Sequence, residues 1–101
     1  MNAPSKKICE LIGIAFIAKK LFWGDFACAS NIYLAKLIII STDCGGAICK
    51  KFSFLAQKFN LPLIRFATKV ELAQCIGKQI VSVIVITDEK LSAKIKKYME
   101  V

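Results

Sequence analysis

The chain contains no histidine, which removes most of the usual catalytic and metal-binding sets. A serine or cysteine nucleophile would have no imidazole to take its proton, and a zinc site would rest on thiolates alone. The best remaining nucleophile is Cys44, in Asp43-Cys44-Gly45-Gly46, where an apolar strand is expected to hand over to a helix. A cysteine at a helix N-terminus can have its pKa lowered and become reactive. With no partner base in the sequence, the simpler reading is a side chain filling the first turn beside glycines that shape a tight connection. Gly45-Gly46 with Lys50-Lys51 suggest a phosphate loop, but the spacings GxxxxGK[ST] and GxGxxG are both missing. Asp88-Glu89 fits a helix cap and a first-turn charge better than an acid–base couple. No enzymatic activity, cofactor or metal is expected.

The charge points elsewhere. Fifteen Lys+Arg against seven Asp+Glu leave a net +8, and only Arg65 among the basic residues is not lysine. Lysine suits phosphate attraction by point charge more than planar, forked recognition. Nucleic acid, and RNA in particular, is the partner class that such a small basic domain implies. The competing reading is a solubilising surface that offsets an interior drawn from 56% apolar residues. The basic loops Gly24-Asp25, Arg65 to Lys69, and Gly77-Lys78-Gln79 all adjoin expected strand ends.

Five cysteines, Cys9, Cys28, Cys44, Cys49 and Cys75, form an odd set with no CxxC pair. Four of them sit inside apolar segments, where a free cysteine behaves as a small hydrophobe. Neither a disulfide framework nor a zinc site is expected, and a reducing, cytoplasmic setting follows. Lys6-Lys7 before the apolar Ile8 to Ala18, with Ala27-Cys28-Ala29 beyond, superficially suggest an export signal. Glu10 breaks that run, Lys19-Lys20 and Asp25 intervene, and its length falls short of the roughly 20 residues a span requires. No membrane association is expected.

The elements that must position these residues follow from apolar periodicity. Residues 1–7 read as a flexible tail, and residues 8–101 as a single domain. Ile8 to about Lys20 reads as a largely buried helix, and Leu21-Phe22-Trp23 as an edge strand or packed linker. A short helix is expected from Asp25 to about Tyr33, then a strand, Leu37 to Ile40, buried on both faces. Asp43 is placed to cap the next helix, in which Ile48, Phe52, Leu55 and Phe59 form one face and Asn60 and Pro62 close it. Leu61 to Phe66 reads as a strand. Thr68-Lys-Val-Glu71 is a capping box for a helix that stops at Gly77. Ile80 to Ile86 is the most strongly β run, and Asp88 starts a last helix with Leu91, Ile95 and Tyr98 facing inward. This alternation predicts an α/β fold, a three-layer α/β/α sandwich around a central, mostly parallel or mixed four-stranded sheet.

Several strings, taken together and in order, carry a resemblance. They are Leu11-Ile-Gly-Ile-Ala15, Gly24, Ala35-Lys-Leu-Ile-Ile-Ile40 with Asp43, Asn60-Leu-Pro-Leu63, Thr68-Lys-Val-Glu-Leu72, Ile76-Gly-Lys78 and Ile84-Val-Ile-Thr-Asp88. From Leu11 to Tyr98 the chain resembles the kink-turn RNA-binding superfamily of ribosomal proteins, the large-subunit L-seven-Ae and L-thirty-e group, and is most similar to its short bacterial members. The resemblance implies an α/β/α sandwich and a non-enzymatic partner of structured RNA. It places RNA contacts on Gly24, Asp25, Phe26, Ala27 and Ser30, and on a second loop of Gly77, Lys78, Gln79 and Ile80, with Lys36 and Lys69 as further basic contacts. The Asn/Glu pair with which family members read guanine edges is Phe26-Ala27 here, and the following lysine is Ser30. Phe26 is then either a stacking surface for an unpaired base or a core residue of the short helix. An alternative is a member that works through protein contacts without RNA, which exposed Phe26, Phe54 or Trp23 would favour.

Overall fold

Two runs with no polar member, Leu37–Ile40 (β2) and Val83–Ile86 (β4), lie side by side in the middle of the sheet, every residue buried. Leu21–Trp23 (β1) flanks β4 and Leu63–Arg65 (β3) flanks β2, giving the order β1-β4-β2-β3. The computed structural model describes residues 2–100. Only β2 and β3 pair in parallel; β1 with β4 and β4 with β2 are antiparallel, so the sheet is mixed.

Side chains on a strand alternate between faces, so two strands apolar throughout need cover on both sides. One face carries Leu37, Ile39, Ile84 and Ile86, which pack under three helices: α1 (Ala3–Ile17), α4 (Lys69–Gln74) and α5 (Glu89–Met99). The other carries Ile38, Ile40, Val83 and Val85, covered by α2 (Asp25–Ser30), the 3-10 turn Ile32–Leu34 and α3 (Gly46–Lys58). This is the expected three-layer α/β/α sandwich. Its radius of gyration is 12.0 Å, close to the roughly 13 Å expected for about 100 residues. Truncating any of the six leucine and isoleucine side chains among these eight to alanine is expected to cost about 2–5 kcal/mol.

The structure departs from the sequence reading at several boundaries, each with a physical cause. The segment before Ile8, expected as a loose tail, is helical from Ala3 onward, while Met1 and Val101 lie outside the described residues. Asn2 caps α1 by accepting from the Ser5 N–H, and Pro4 in the first turn lacks only an N–H that a helix start leaves unpaired. Asp43 does not cap α3, whose N-cap is Gly45 with no side-chain bond. Its carboxylate accepts instead from the backbone N–H of Lys69, tying the end of β2 to the start of α4.

The expectation that no disulfide forms is overturned for Cys9 and Cys75, which are joined, with Cα atoms 5.1 Å apart, between α1 and the end of α4. Gly13 allows the two segments to approach, since a Cβ there would lie 3.1 Å from the Cys75 carbonyl oxygen. Cys28, Cys44 and Cys49 are free thiols.

The Thr68–Glu71 capping box is present in both directions. The Thr68 N–H and hydroxyl hold the Glu71 carboxyl below its ordinary range. Because the folded pKa is the lower one, this contribution exists above the unfolded pKa and is lost as pH falls. Thr68→Ala is expected to lower stability by about 1 kcal/mol. The Glu71→Ala penalty should be largest above about pH 5 and shrink toward about pH 3, read by urea unfolding at both values. Ser92 in α5 is buried, and its hydroxyl has no partner. Ser92→Ala should therefore stabilise the protein by about 1 kcal/mol, seen as a higher urea midpoint at an unchanged slope.

Candidate nucleic-acid interface

Strand direction decides which loops meet. β2 and β3 end, β1 ends and β4 begins at one edge of the sheet, because Trp23 pairs with Ile84, Ile40 with Val83 and with Arg65. That edge gathers Gly24-Asp25 after β1, Ser41 to Gly46 after β2, Arg65 to Lys69 after β3, and Gly77 to Ser82 before β4. The three basic loops singled out in the sequence thus share one edge. Lys36 does not belong with them. It precedes β2, its N–H bonds the Ile86 carbonyl at the end of β4, and it lies at the opposite edge.

Both glycines at this edge are conformationally required. Gly24 has φ +90° and Gly77 φ +70°, in the region that favours glycine. The Gly24 N–H bonds the Val83 carbonyl at 3.0 Å, so the turn into α2 is pinned to the start of β4. Beside Gly24 lies a cleft of about 210 Å³, lined by Trp23, Gly24, Asp25, Ile48 and Ile80 to Val83. The glycine-led segment and the second loop therefore form two walls of one cleft.

Lys78 reaches across from the second loop. Its Nζ sits 4.7 Å from the centre of the Trp23 ring and 5.7 Å from that of Phe16, and the two rings meet edge to face at 5.4 Å. Such contacts are worth about 0.5–1 kcal/mol at an exposed site, enough to bias where the ammonium sits. Asp25 faces the Lys51 ammonium at 2.6 Å, both half exposed. That pair adds roughly 0–1 kcal/mol in water and mainly offsets two opposite charges at the mouth of the cleft. Lys69 is half buried; its N–H donates to Asp43 and its carbonyl accepts from Val81. Its backbone thereby joins three of the edge loops.

Of the remaining residues, Phe26 is 83% exposed and Ile80 68% exposed. Phe26 is thus not a core residue of the short helix; the buried member of α2 is Cys28. Ala27 is half buried, and its carbonyl accepts from both the backbone and side-chain N–H groups of Asn31, which end α2. Ser30, Gln79 and Lys50 are exposed. Trp23 and Ile48, which no sequence motif marked, line the cleft.

Cys44 and Cys28 are poor attacking nucleophiles. Burial pushes the Cys44 thiol up, and the neighbouring Cys49 pushes it further. Burial raises Cys28 to about 12. Among the described residues, no helix is long and apolar enough to cross a membrane.

Comparison with solved structures places this arrangement among known folds. A protein of unknown function from Bacillus halodurans superposes with a TM-score of 0.89 at 25% identity, covering 94% of this chain and 98% of that one. The 15.5 kD RNA-binding protein of Giardia lamblia superposes with a TM-score of 0.80 at 14% identity, covering 99% of this chain and 88% of that one. Comparison with curated protein sequences finds no significant match. The model of the family described as Ribosomal protein L7Ae/L30e/S12e/Gadd45 matches residues 6–96. With the fold, the two glycine turns and the ordered motifs in agreement, the chain belongs to the ribosomal protein L7Ae/L30e/S12e/Gadd45 family.

Proposed function

We propose that this chain is a non-enzymatic, cytoplasmic RNA-binding protein of ribosomal type that grips a bent RNA backbone with an altered base preference. The observation that carries the reading is the cleft walled by Gly24-Asp25 on one side and Ile80 to Val83 on the other, with the Lys78 ammonium over the ring of Trp23, which also lines it. The family and the RNA-binding character of the Giardia lamblia protein support the partner class. Recognition of a kink-turn or a related sharp bend fits a cleft between the Gly24 turn and the segment leading into β4, where a backbone can approach closely.

The altered preference follows from the side chains. Phe26 and Ala27 carry no side-chain donor or acceptor for a base edge. Two or three missing contacts at roughly 1–3 kcal/mol each would remove several kcal/mol of base discrimination, by analogy with direct readout in DNA. Phe26, largely presented to solvent, offers a flat apolar surface on which an unpaired base can stack. Affinity then rests on lysine and phosphate, which makes it steeply salt dependent.

A second reading rests on its own observation. Phe26, Phe54 and Trp23 are all exposed, Phe54 by 61%. A family member that joins a protein partner or a second copy through these rings would use them instead of RNA.

A side-by-side gel shift with a kink-turn RNA and a scrambled stem decides between them. Binding of the kink-turn at micromolar protein in low salt is expected, weakening as salt rises. Lys78→Ala should weaken it several-fold and reduce the slope of log K against log salt by about one. Lys36→Ala, at the opposite edge, should leave binding unchanged. Failure of both RNAs to bind, with a stable dimer by sedimentation, would transfer the assignment to protein contacts.

A further inference from the structure

Cys44 and Cys49 flank the start of α3 in a specific relation. With Gly45 as the N-cap, Cys44 stands one residue outside the helix and Cys49 at its fourth position, where side chains characteristically meet across a helix start. Both are half buried and pack against the same α2–α3 core. The Arg65 guanidinium, from the end of β3, donates to the Cys49 sulfur. No other free thiol among the described residues resembles this pair, because Cys28 is fully buried and Cys9 and Cys75 are already joined.

We propose that Cys44 and Cys49 are a thiol–disulfide exchange site, which takes a small disulfide of the glutathione class and closes to an internal Cys44–Cys49 disulfide. The Cys49 thiolate, with Arg65 as its cationic partner, attacks one sulfur of the small disulfide. A Cys49–S bond forms as the small molecule's S–S bond breaks and one small thiolate leaves. Cys44 gives up its proton to water and attacks the Cys49 sulfur; the internal bond forms and the second small thiolate leaves. Two protein thiols are oxidised, one small disulfide is reduced to two thiols, and the two protons lost by the protein end on those thiolates.

The division of labour follows from the surroundings. Burial disfavours charge on Cys44, which suits it to the second, resolving step, where its target stands one helix turn away. The site is independent of the RNA reading, although Arg65 lies on the same edge of the sheet.

Trypsin cleavage after Lys36 and Lys50 leaves both cysteines in one peptide, Leu37 to Lys50. The full chain is incubated with glutathione disulfide at neutral pH, quenched in acid and digested without reductant. The expected product is this peptide lighter by two hydrogens and free of glutathione. Cys44→Ser should hold one glutathione on Cys49, and Cys49→Ser should slow modification at Cys44 by roughly tenfold or more. A wild-type peptide that stays a dithiol, keeps a stable glutathione adduct, or is cross-linked to the Cys28 peptide overturns the proposal without reference to either variant.

Discussion

The pairing of β2 with β4 imposes the constraint from which the remaining architecture follows. Eight consecutive-neighbour side chains, Leu37 to Ile40 and Val83 to Ile86, have no polar face to offer water. Alternation along each strand sends half of them to each side of the sheet, so a helix layer on one side alone would leave four large apolar side chains exposed. Burying a Val, Leu or Ile side chain is worth roughly 1.5–3 kcal/mol, so neither face can be left uncovered in a domain of marginal stability. The helices supply that cover with unequal amounts of apolar surface. α5 keeps only a narrow inward line, Leu91, Ile95 and Tyr98, and turns four lysines outward.

The same pairing fixes the chemistry of one edge. Since β4 runs against β2, the entry to β4 and the exits from the other three strands come together, and with them both positive-φ glycines. Backbone bonds hold most of the loops in register, Gly24 to Val83, Lys69 to Val81 and Thr42 to Ala67, and the Asp43 carboxylate adds one more by accepting from the Lys69 N–H. Side chains that take no part in these bonds are therefore free to change identity without moving the cleft. Phe26, which is 83% exposed, is one such side chain, free to differ on a backbone that keeps its shape.

Much of this was legible in the residues. β-branched runs marked β2 and β4, Thr68 and Glu71 marked a helix start, and Gly24 and Gly77 marked backbone that a larger residue strains. The beginning of α1 was legible too, in Asn2 and Pro4, but the polar Ser5-Lys6-Lys7 that follow conceal the periodicity. Other features depend on which elements end up adjacent, which local pattern does not encode. Asp43 has the right type and spacing to cap α3, yet the Lys69 N–H, twenty-six residues on, wins its carboxylate. Cys9 and Cys75 look like two apolar helix residues until Gly13 lets their backbones close in. Lys36 adjoins a strand as the other candidates do, but strand direction, visible only in the assembled sheet, sends it to the far edge.

The mixed sheet has a consequence for how the molecule comes to exist. β4 is the last strand in the chain and is also the one that β1 and β2 both grip, with Leu21 and Leu37 each opposite Ile86. As the chain emerges from its N-terminus, β2 and β3 can pair, but β1 has no partner until β4 has been made. Contacts so distant in sequence carry a loop-closure cost before they give anything back. The sheet therefore cannot be completed until β4 has been made, and until then β1 has no strand partner and β2 has one free edge. A truncated product lacking β4 should be an exposed, aggregation-prone species rather than a smaller version of the fold.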